Sequence, residues 1–597
     1  MNRNLATLAA AVAFAAAVNG ESASATAEPI AVDSRGSTFM RRAERFESPA
    51  DSEAHRADFA RFKEECAAGA FVIGQASSME NIRPRAGFRW RKADEVKVRL
   101  ARGECESVQI LVAPNERDLK GVKVTVEDDL GAFAATNITA SVVGYSITTN
   151  SPPYKVRPLK GGGLAQPPCG WWPDPILDFQ KSCDVSGTDV QSFWVRMKCP
   201  RHQAAGLYEG ALVVSAEMVK SIRIPFSVRV NDFEVGRTSP LPLAITVAPG
   251  SNKTNDWRND WKKHPEATYD FFADYFLSMD ALYWRQPNWD ALVHLRDQGR
   301  LGMFNLYYIW KGIDKKGLDA IRRHYDKARE LGIENHAYIY GFDEMKQDAF
   351  PTIAATVGTL RREFPGVPVM TTARDRLFGA DGSPLAAIDI FCPGTCSWNP
   401  AQVERTRREG RKVFWYFANI PASPFANTML ECPPCEIRSL MGAQTQKFKP
   451  DGFLYYSTTK WWNSSEPIKE GPFTTWEARS YGPYHGDGQW TCCGGPDNMP
   501  LATIRLENFR DGLEDLWYAR TLEELYARRM AEKIREDELV LSQGGETAPD
   551  DWCERARKVL AVPDEVARST ATFSVDPDVI YRWRDEMADL IDEASRK

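Results

Sequence analysis

The hydrophobic period of this chain changes once, near residue 238, and that change dictates most of what the chain can fold into. From about residue 90 to 235 apolar side chains recur at every second position: Val96, Val98 and Leu100 in "EVKVRL", the same device in "VKVTV", then Ile222, Ile224, Phe226, Val228 and Val230 in "IRIPFSVRV". Such alternation sets one face of a strand against a core and the other against water. Many short strands with no amphipathic helix between them predict half-buried antiparallel strands in a β-sandwich over residues 89–237.

Past the prolines of "GRTSPLPLA" the pattern becomes alternating strand and helix. The expected strands are "LAITVA", "ALYW", "MFNLYYI", "HAYIYGF", "VPVMTTA", "AIDIFCP", "KVFWYFA" and "GFLYYST". Between them Leu318, Ile321, Tyr325 and Ala328 share one helical face, and Ile353, Val357, Leu360 and Phe364 another. Eight strand units with helical crossovers fit a (β/α)8 TIM-like barrel over residues 238–515; an open doubly wound sheet is the other arrangement the pattern admits. The expected class is α/β with an all-β N-terminal domain, in keeping with 597 residues, more than one core sustains. Residues 516–597, rich in Glu to Arg or Lys pairs three and four apart, read as a helical C-terminal segment, a packing scaffold with a solvated face.

The first 25 residues carry Arg3, a short apolar run and the small-residue "ASA", the layout of a secretory signal peptide, which predicts export to the periplasm or beyond with a mature chain from Thr26. The run is too short to cross about 30 Å of hydrocarbon, so no integral membrane segment is expected. Residues 26–88 are mixed and charged, with "RRAERF" and "HRADFARFKEE" suggesting short exposed helices. A net charge of −6 argues against a nucleic-acid partner, whose phosphates call for clustered Lys and Arg. "KGGGLAQPPCGWW" reads as loop, with no helix start to aim amides at a phosphate. In an exported protein the 12 cysteines admit disulfides, with the pairing unreadable. Cys432, Cys435, Cys492 and Cys493 offer four thiolates to zinc, but the two halves stand far apart, and the seven histidines include no HxH or HxxxH; neither metal nor other cofactor is expected.

"HAYIYGFDEM" holds the residues with the most chemistry in them. As the fourth strand of a barrel it delivers Asp343 and Glu344 to the C-terminal mouth, where such folds do their work. Regular pleating would send Tyr338, Tyr340 and Phe342 one way and separate the two acids, so both reach one ligand only if strand geometry stops near Gly341. The plainer alternative is that the two acids cap the following helix.

"YGFDE", with "ARGECESVQILV" and "GWWPDPI" upstream and "GDGQW" and "IRLENFRDGLEDLWY" downstream, resembles the glycoside hydrolase 123 family across most of the chain. The resemblance implies a β-sandwich before a barrel and a retaining β-N-acetylgalactosaminidase in which the substrate's own 2-acetamido group is the nucleophile. That chemistry needs no carboxylate nucleophile, so the usual spacing of two acids across a glycosidic bond does not apply. Carried over by motif, Glu344 protonates the leaving oxygen and later activates water, while Asp343 orients the acetamido N–H and stabilises the oxazolinium-like charge.

The partner is then a glycan, held where pyranose C–H faces meet aromatic rings. Site candidates at strand ends are Tyr340, Trp415, Tyr416, Asn419, Tyr456, Trp461 and Trp462, with the "KWWN" pair the foremost platform; Arg438 resembles a family arginine, and Asp487 lies in the "GDG" loop. For each single aromatic, core packing is an equal alternative. Tyr456 stands where the resemblance leads one to expect tryptophan, and "CPPC" and "TCCGGPDNMP" depart from it in the mouth loops, which bears on the sugar accepted. Two other functions compete: a glycosidase with a conventional nucleophile, Asp375 or Asp487 standing roughly 5 to 9 Å across from Glu344, and a carbohydrate-binding protein without catalysis. Linkage and oligomeric state are not legible.

Overall fold

The structure is a computed structural model that describes residues 49–158 and 162–596. The leader and the "RRAERF" stretch lie outside the described residues, while "HRADFARFKEE" falls in the helix Pro49–Cys66. Among the described residues no helix is long and apolar enough to cross a membrane.

The N-terminal part is β-rich, as the two-residue period predicts. One sheet orders Phe71–Ser77, Cys105–Pro114, Gln191–Lys198 and Ile138–Thr148; the facing five-stranded sheet runs Val96–Arg102, Ile222–Glu234, Gly206–Ser215, Leu119–Val126 and Ser182–Val185. Val96, Val98, Leu100, Phe226, Val228 and Val230 meet Ile110, Val112, Phe193 and Val195 in the core between them. Two pairings are parallel where antiparallel ones are expected: Val96–Arg102 with Ile222–Glu234, and Phe473–Glu477 with Ile138–Thr148. The second brings in a strand from far along the chain, and Trp461, Ile468, Trp476 and Cys492 fill the same core. The last three residues of the expected loop "KGGGLAQPPCGWW" begin a strand, Gly170–Leu177, buried along its whole length, with Trp171 and Ile176 packed on Val143, Tyr145 and Ile147 of the neighbouring strand and on Ile504 of the C-terminal helix.

The following part is mixed α/β on a curled parallel sheet. Phe304–Ile309, Ala337–Gly341, Val369–Thr371, Ile390–Phe391 and Lys412–Val413 form five parallel strands; Trp415–Tyr416 continues the last into a three-stranded set with Phe453–Tyr455 and Leu243–Ile245. Inward-facing Ala244, Tyr338, Tyr340, Met370, Ile390, Phe414 and Leu454 pack on one another, while Phe304, Ile339, Val369 and Val413 face the helices through Ile321, Ile353, Val357 and Leu360. "ALYW" is not a strand. Its place is held by side chains: Asn305 Nδ2 donates to the carbonyls of Ala281 (3.2 Å) and Leu282 (3.0 Å), and Asp280 Oδ1 accepts from the Asn305 amide at 2.8 Å.

The C-terminal helices Ile504–Ser542, Asp551–Leu560 and Pro577–Ser595 close the molecule. The start of the first is buried on every side, charged residues included, and only its later turns form the expected solvated face. Gly512 allows this burial: a Cβ there would stand 2.6 Å from the Arg438 carbonyl. The acids of "RLENFRDGLEDLWY" meet buried cations, Glu507 with Arg196 (2.6 Å), Asp515 with Arg438 (2.8 Å) and with Arg584 (3.1 Å); Glu104 of "ARGECES" pairs with Arg584. The twelve cysteines are unpaired, and all but Cys169 and Cys396 are buried. Cys432, Cys435 and the Cys492–Cys493 pair sit in three separate apolar clusters.

Candidate active site

Strand geometry does stop at Gly341, but the two residues that redirect the chain are not glycines. Phe342 (φ 60°) and Glu344 (φ 50°) both adopt the left-handed conformation, each at a cost of about 1 kcal/mol or more. The reversal turns Phe342 out among the helices, away from Tyr338 and Tyr340, and leaves Asp343 on the inner side with Tyr340. Gly341 is required for closeness instead: a Cβ there would sit 2.8 Å from the Ile309 carbonyl. The turn is fastened to both neighbouring strands, with Phe342 N donating to Ile309 O (2.9 Å), Glu344 N to Thr372 Oγ1 (3.0 Å) and Arg374 N to Met345 O (2.8 Å).

Neither acid caps a helix. The next one, Phe350–Glu363, starts at Ala349 without a side-chain cap. Asp343 is half-buried, and its Oδ1 accepts from Tyr340 Oη at 2.6 Å and from Thr372 Oγ1 at 2.9 Å. Burial raises its carboxyl above the ordinary aspartate range, the two hydroxyls oppose that, and the charge of Glu344 adds to it. Glu344 is exposed, with Oε1 accepting from Tyr416 Oη (2.7 Å) and Oε2 paired with Arg374 (2.8 Å). Two acids thus share one rim position with different surroundings, one set among hydroxyls and the other reaching solvent. Tyr308 stacks on Tyr340 at 5.9 Å and Tyr283 meets it edge-on at 5.8 Å, giving an aromatic floor beside Asp343.

Across the mouth lies a second cluster. Asp487, buried, accepts from Tyr456 Oη at 2.8 Å and Tyr455 Oη at 3.4 Å, and burial lifts its carboxyl to about 6. Lys460 lies alongside, its ammonium 3.8 Å from the Tyr481 ring centroid, 4.7 Å from Tyr456 and 5.3 Å from Trp462. Burial, and after it the charges of Asp487, Glu344 and Asp343 in falling order, raise the Tyr481 phenol, so this ring lies within reach of both the second cluster and the acid pair. Asn419 bonds Tyr484 at the edge of the same region.

Of the residues expected from sequence, Tyr340, Tyr416, Tyr456, Asp487 and the exposed Trp462 gather around this mouth. Three do not. Trp415 is fully buried between Trp398 and Phe448, because its neighbour Tyr416 takes the inward face of the strand. Trp461 is 1% exposed, donates Nε1 to Thr491 O at 2.8 Å and stacks near Trp257, on the opposite side from Trp462. Arg438, 0% exposed, is held by Glu106, Asp511 and Asp515 and is a core cation, not a ligand of the mouth. Thr372, Arg374, Lys460 and Tyr481 were not anticipated; Thr372 and Arg374 follow the strand next to "HAYIYGF", and that adjacency was the available signal.

Residues 310–522 match the profile of the glycoside hydrolase 123 catalytic domain, and residues 90–216 that of the glycoside hydrolase 123 N-terminal domain. A similar solved structure is a family 123 glycoside hydrolase from Clostridium perfringens, described for its hydrolysis of glycolipid glycans: 13% identity, TM-score 0.60, covering 88% of this chain and 99% of that one. A family 39 glycoside hydrolase from Bacteroides cellulosilyticus WH2 also aligns (10% identity, TM-score 0.28, 66% of this chain and 80% of that one), at a similarity too low to carry an argument. No curated protein sequence matches.

Proposed function

The chain belongs to glycoside hydrolase family 123, and on that premise we propose that it is an exported retaining enzyme that removes a terminal β-linked N-acetylgalactosamine, or a closely similar 2-acetamido sugar, by substrate-assisted catalysis. Export rests on the leader sequence. The observation that carries the chemistry is the left-handed pair Phe342 and Glu344, which brings Asp343 and Glu344 to one rim position where an ideal strand would part them.

In the reaction the acetamido carbonyl oxygen attacks the anomeric carbon as the glycosidic C–O bond breaks and Glu344 gives its proton to the leaving oxygen. Asp343 accepts the acetamido N–H, which holds that group under the ring and offsets the positive charge of the oxazolinium as it forms. Tyr340 and Thr372 keep its carboxylate aimed. Water then attacks the same carbon from the face the leaving group vacated and passes a proton to Glu344, restoring it with overall retention. Tyr416 and Arg374 each donate to one oxygen of the Glu344 carboxylate, the form that takes the proton from water in the second step.

A conventional nucleophile has less support. The Asp375 carboxylate is occupied by its own loop, accepting from Leu377 N and Gly379 N (both 2.9 Å) and Ser383 Oγ (2.7 Å). The test is a panel of aryl β-glycosides with and without the 2-acetamido group. Turnover confined to 2-acetamido sugars, and blocked by a thiazoline analogue of the oxazolinium, is expected; equal turnover of 2-hydroxy sugars would remove the acetamido group from the mechanism.

A further inference from the structure

Lys460 is an unusual residue to find at a mouth lined with carboxylates. It is 5% exposed, yet among the described residues the only hydrogen bond its ammonium makes is a 3.3 Å donation to Tyr456 Oη. The ammonium has three N–H groups. Its remaining surroundings are the faces of Tyr456, Tyr481 and Trp462, which attract a cation but accept no conventional hydrogen bond. The stem is fixed: Lys460 N donates to Gly488 O at 3.0 Å, its carbonyl accepts from Gln489 Nε2 at 3.0 Å, and a Cβ on Gly488 would stand 3.0 Å from Lys460 Cδ. The loop of Asp487 and the turn of Lys460 are therefore one built unit. Beside the ammonium, Asp487 keeps acceptor capacity beyond the two tyrosine hydroxyls it receives.

We propose that Lys460 is a specificity-determining residue of the sugar site: its ammonium donates to a ring hydroxyl remote from the glycosidic bond while Asp487 accepts from a neighbouring hydroxyl. This rests on the hydrolase reading above and narrows it. A fixed donor beside a fixed acceptor matches two adjacent hydroxyls of a neutral pyranose, each of which both gives and takes a hydrogen bond. An anionic substituent is disfavoured by Asp487, Asp343 and Glu344 together, and a hydroxyl already bearing a sugar has no proton left to give the Asp487 carboxylate. The selected ligand is a terminal, uncharged 2-acetamido hexose with both hydroxyls free. Burial lowers the Lys460 ammonium to about 8, so it remains a cation at neutral pH with Asp487 as its counter-charge.

The experiment compares wild type and K460M on an aryl 2-acetamido-β-galactoside and its 3-, 4- and 6-deoxy analogues, with thermal unfolding as a control on the fold. K460M is expected to lower kcat/KM on the parent about 10- to 100-fold, and on one deoxy analogue about threefold or less, since the contact is already missing there. An equal loss on all four substrates would mean that Lys460 only supports the loop, and would overturn the inference while leaving the hydrolase reading intact. Wild type inert both on the parent and on the matching aryl 2-acetamido-β-glucoside would instead overturn the proposed hydrolysis of 2-acetamido sugars, and this inference with it.

Discussion

Replacing Arg438 by methionine separates a structural from a catalytic reading of the family's most recognisable sequence stretches. The guanidinium is fully buried and donates to Glu106 (3.2 and 2.9 Å), Asp515 (2.8 and 3.0 Å) and Asp511 (3.4 Å). Removing one partner of a buried ion pair costs about 3–5 kcal/mol, mostly through the charge left behind. Here each acid retains another cation, Arg584 at 3.7 Å from Glu106 and 3.1 Å from Asp515, and Arg510 at 2.6 Å from Asp511, so the lower end applies, about 3 kcal/mol. For a unit of this size, Ala43–Lys597, that is a fall in the unfolding midpoint of about 3 °C.

The pH dependence follows from the same network. Burial alone would raise the Glu106 carboxyl, but Arg438 and Arg584 outweigh it and hold it below its ordinary value. A carboxylate depressed in the folded state contributes stability above its unfolded pKa that fades as pH falls through its folded one. Without Arg438, Glu106 is freer to take up a proton, so the gap between variant and wild type is widest near neutrality and narrows toward pH 4. Circular dichroism melts at pH 7.5 and 4.5, with kcat/KM measured well below the transition, read both effects. Unchanged stability with a hundredfold loss of kcat/KM would refute this reasoning and return Arg438 to the substrate.

Other perturbations give distinct outcomes. Asp343→Asn should lower kcat/KM on a 2-acetamido glycoside about 10²- to 10³-fold with little change in KM, and the acid limb of the wild-type profile should lie above the ordinary aspartate range, because burial raises that carboxyl. Asp280, buried against Tyr338 and raised to about 7, binds its proton more tightly folded than unfolded, so stability falls as pH rises from about 4 to 7, by at most about 4 kcal/mol; melts of Asp280→Asn should show that slope flattened. Trp461→Ala should destabilise by about 3–5 kcal/mol, whereas Trp462→Ala, at an exposed position, should leave denaturant midpoints unchanged and raise KM.

How far the sequence reaches depends on what kind of force places a residue. The period change located the β-rich and α/β parts because burial of alternate side chains is local information, and the acids of "GFDE" sit at a strand end as their position in the pattern required. It failed where side chains substitute for backbone, as Asn305 and Asp280 do in place of a second strand. It failed again in the adjacent pairs Trp415–Tyr416 and Trp461–Trp462, where one ring is core and the other faces the mouth, since composition does not say which face turns inward. The sequence does not place Arg438, because its partner Glu106 lies 332 residues away and charge alone does not distinguish a buried cation from a binding one. The left-handed Phe342 had no sequence signal, as a bulky residue is the last expected there.

The central claim is that the sugar's own amide attacks while Asp343 and Glu344 assist from one rim. The most direct measurement is kcat/KM across aryl 2-acetamido-β-galactosides whose N-acyl methyl carries zero, one, two and three fluorines, each of which drains the carbonyl oxygen of nucleophilicity. The account predicts a steep logarithmic decline with every fluorine added. A flat series, with the enzyme active on all four, would contradict it.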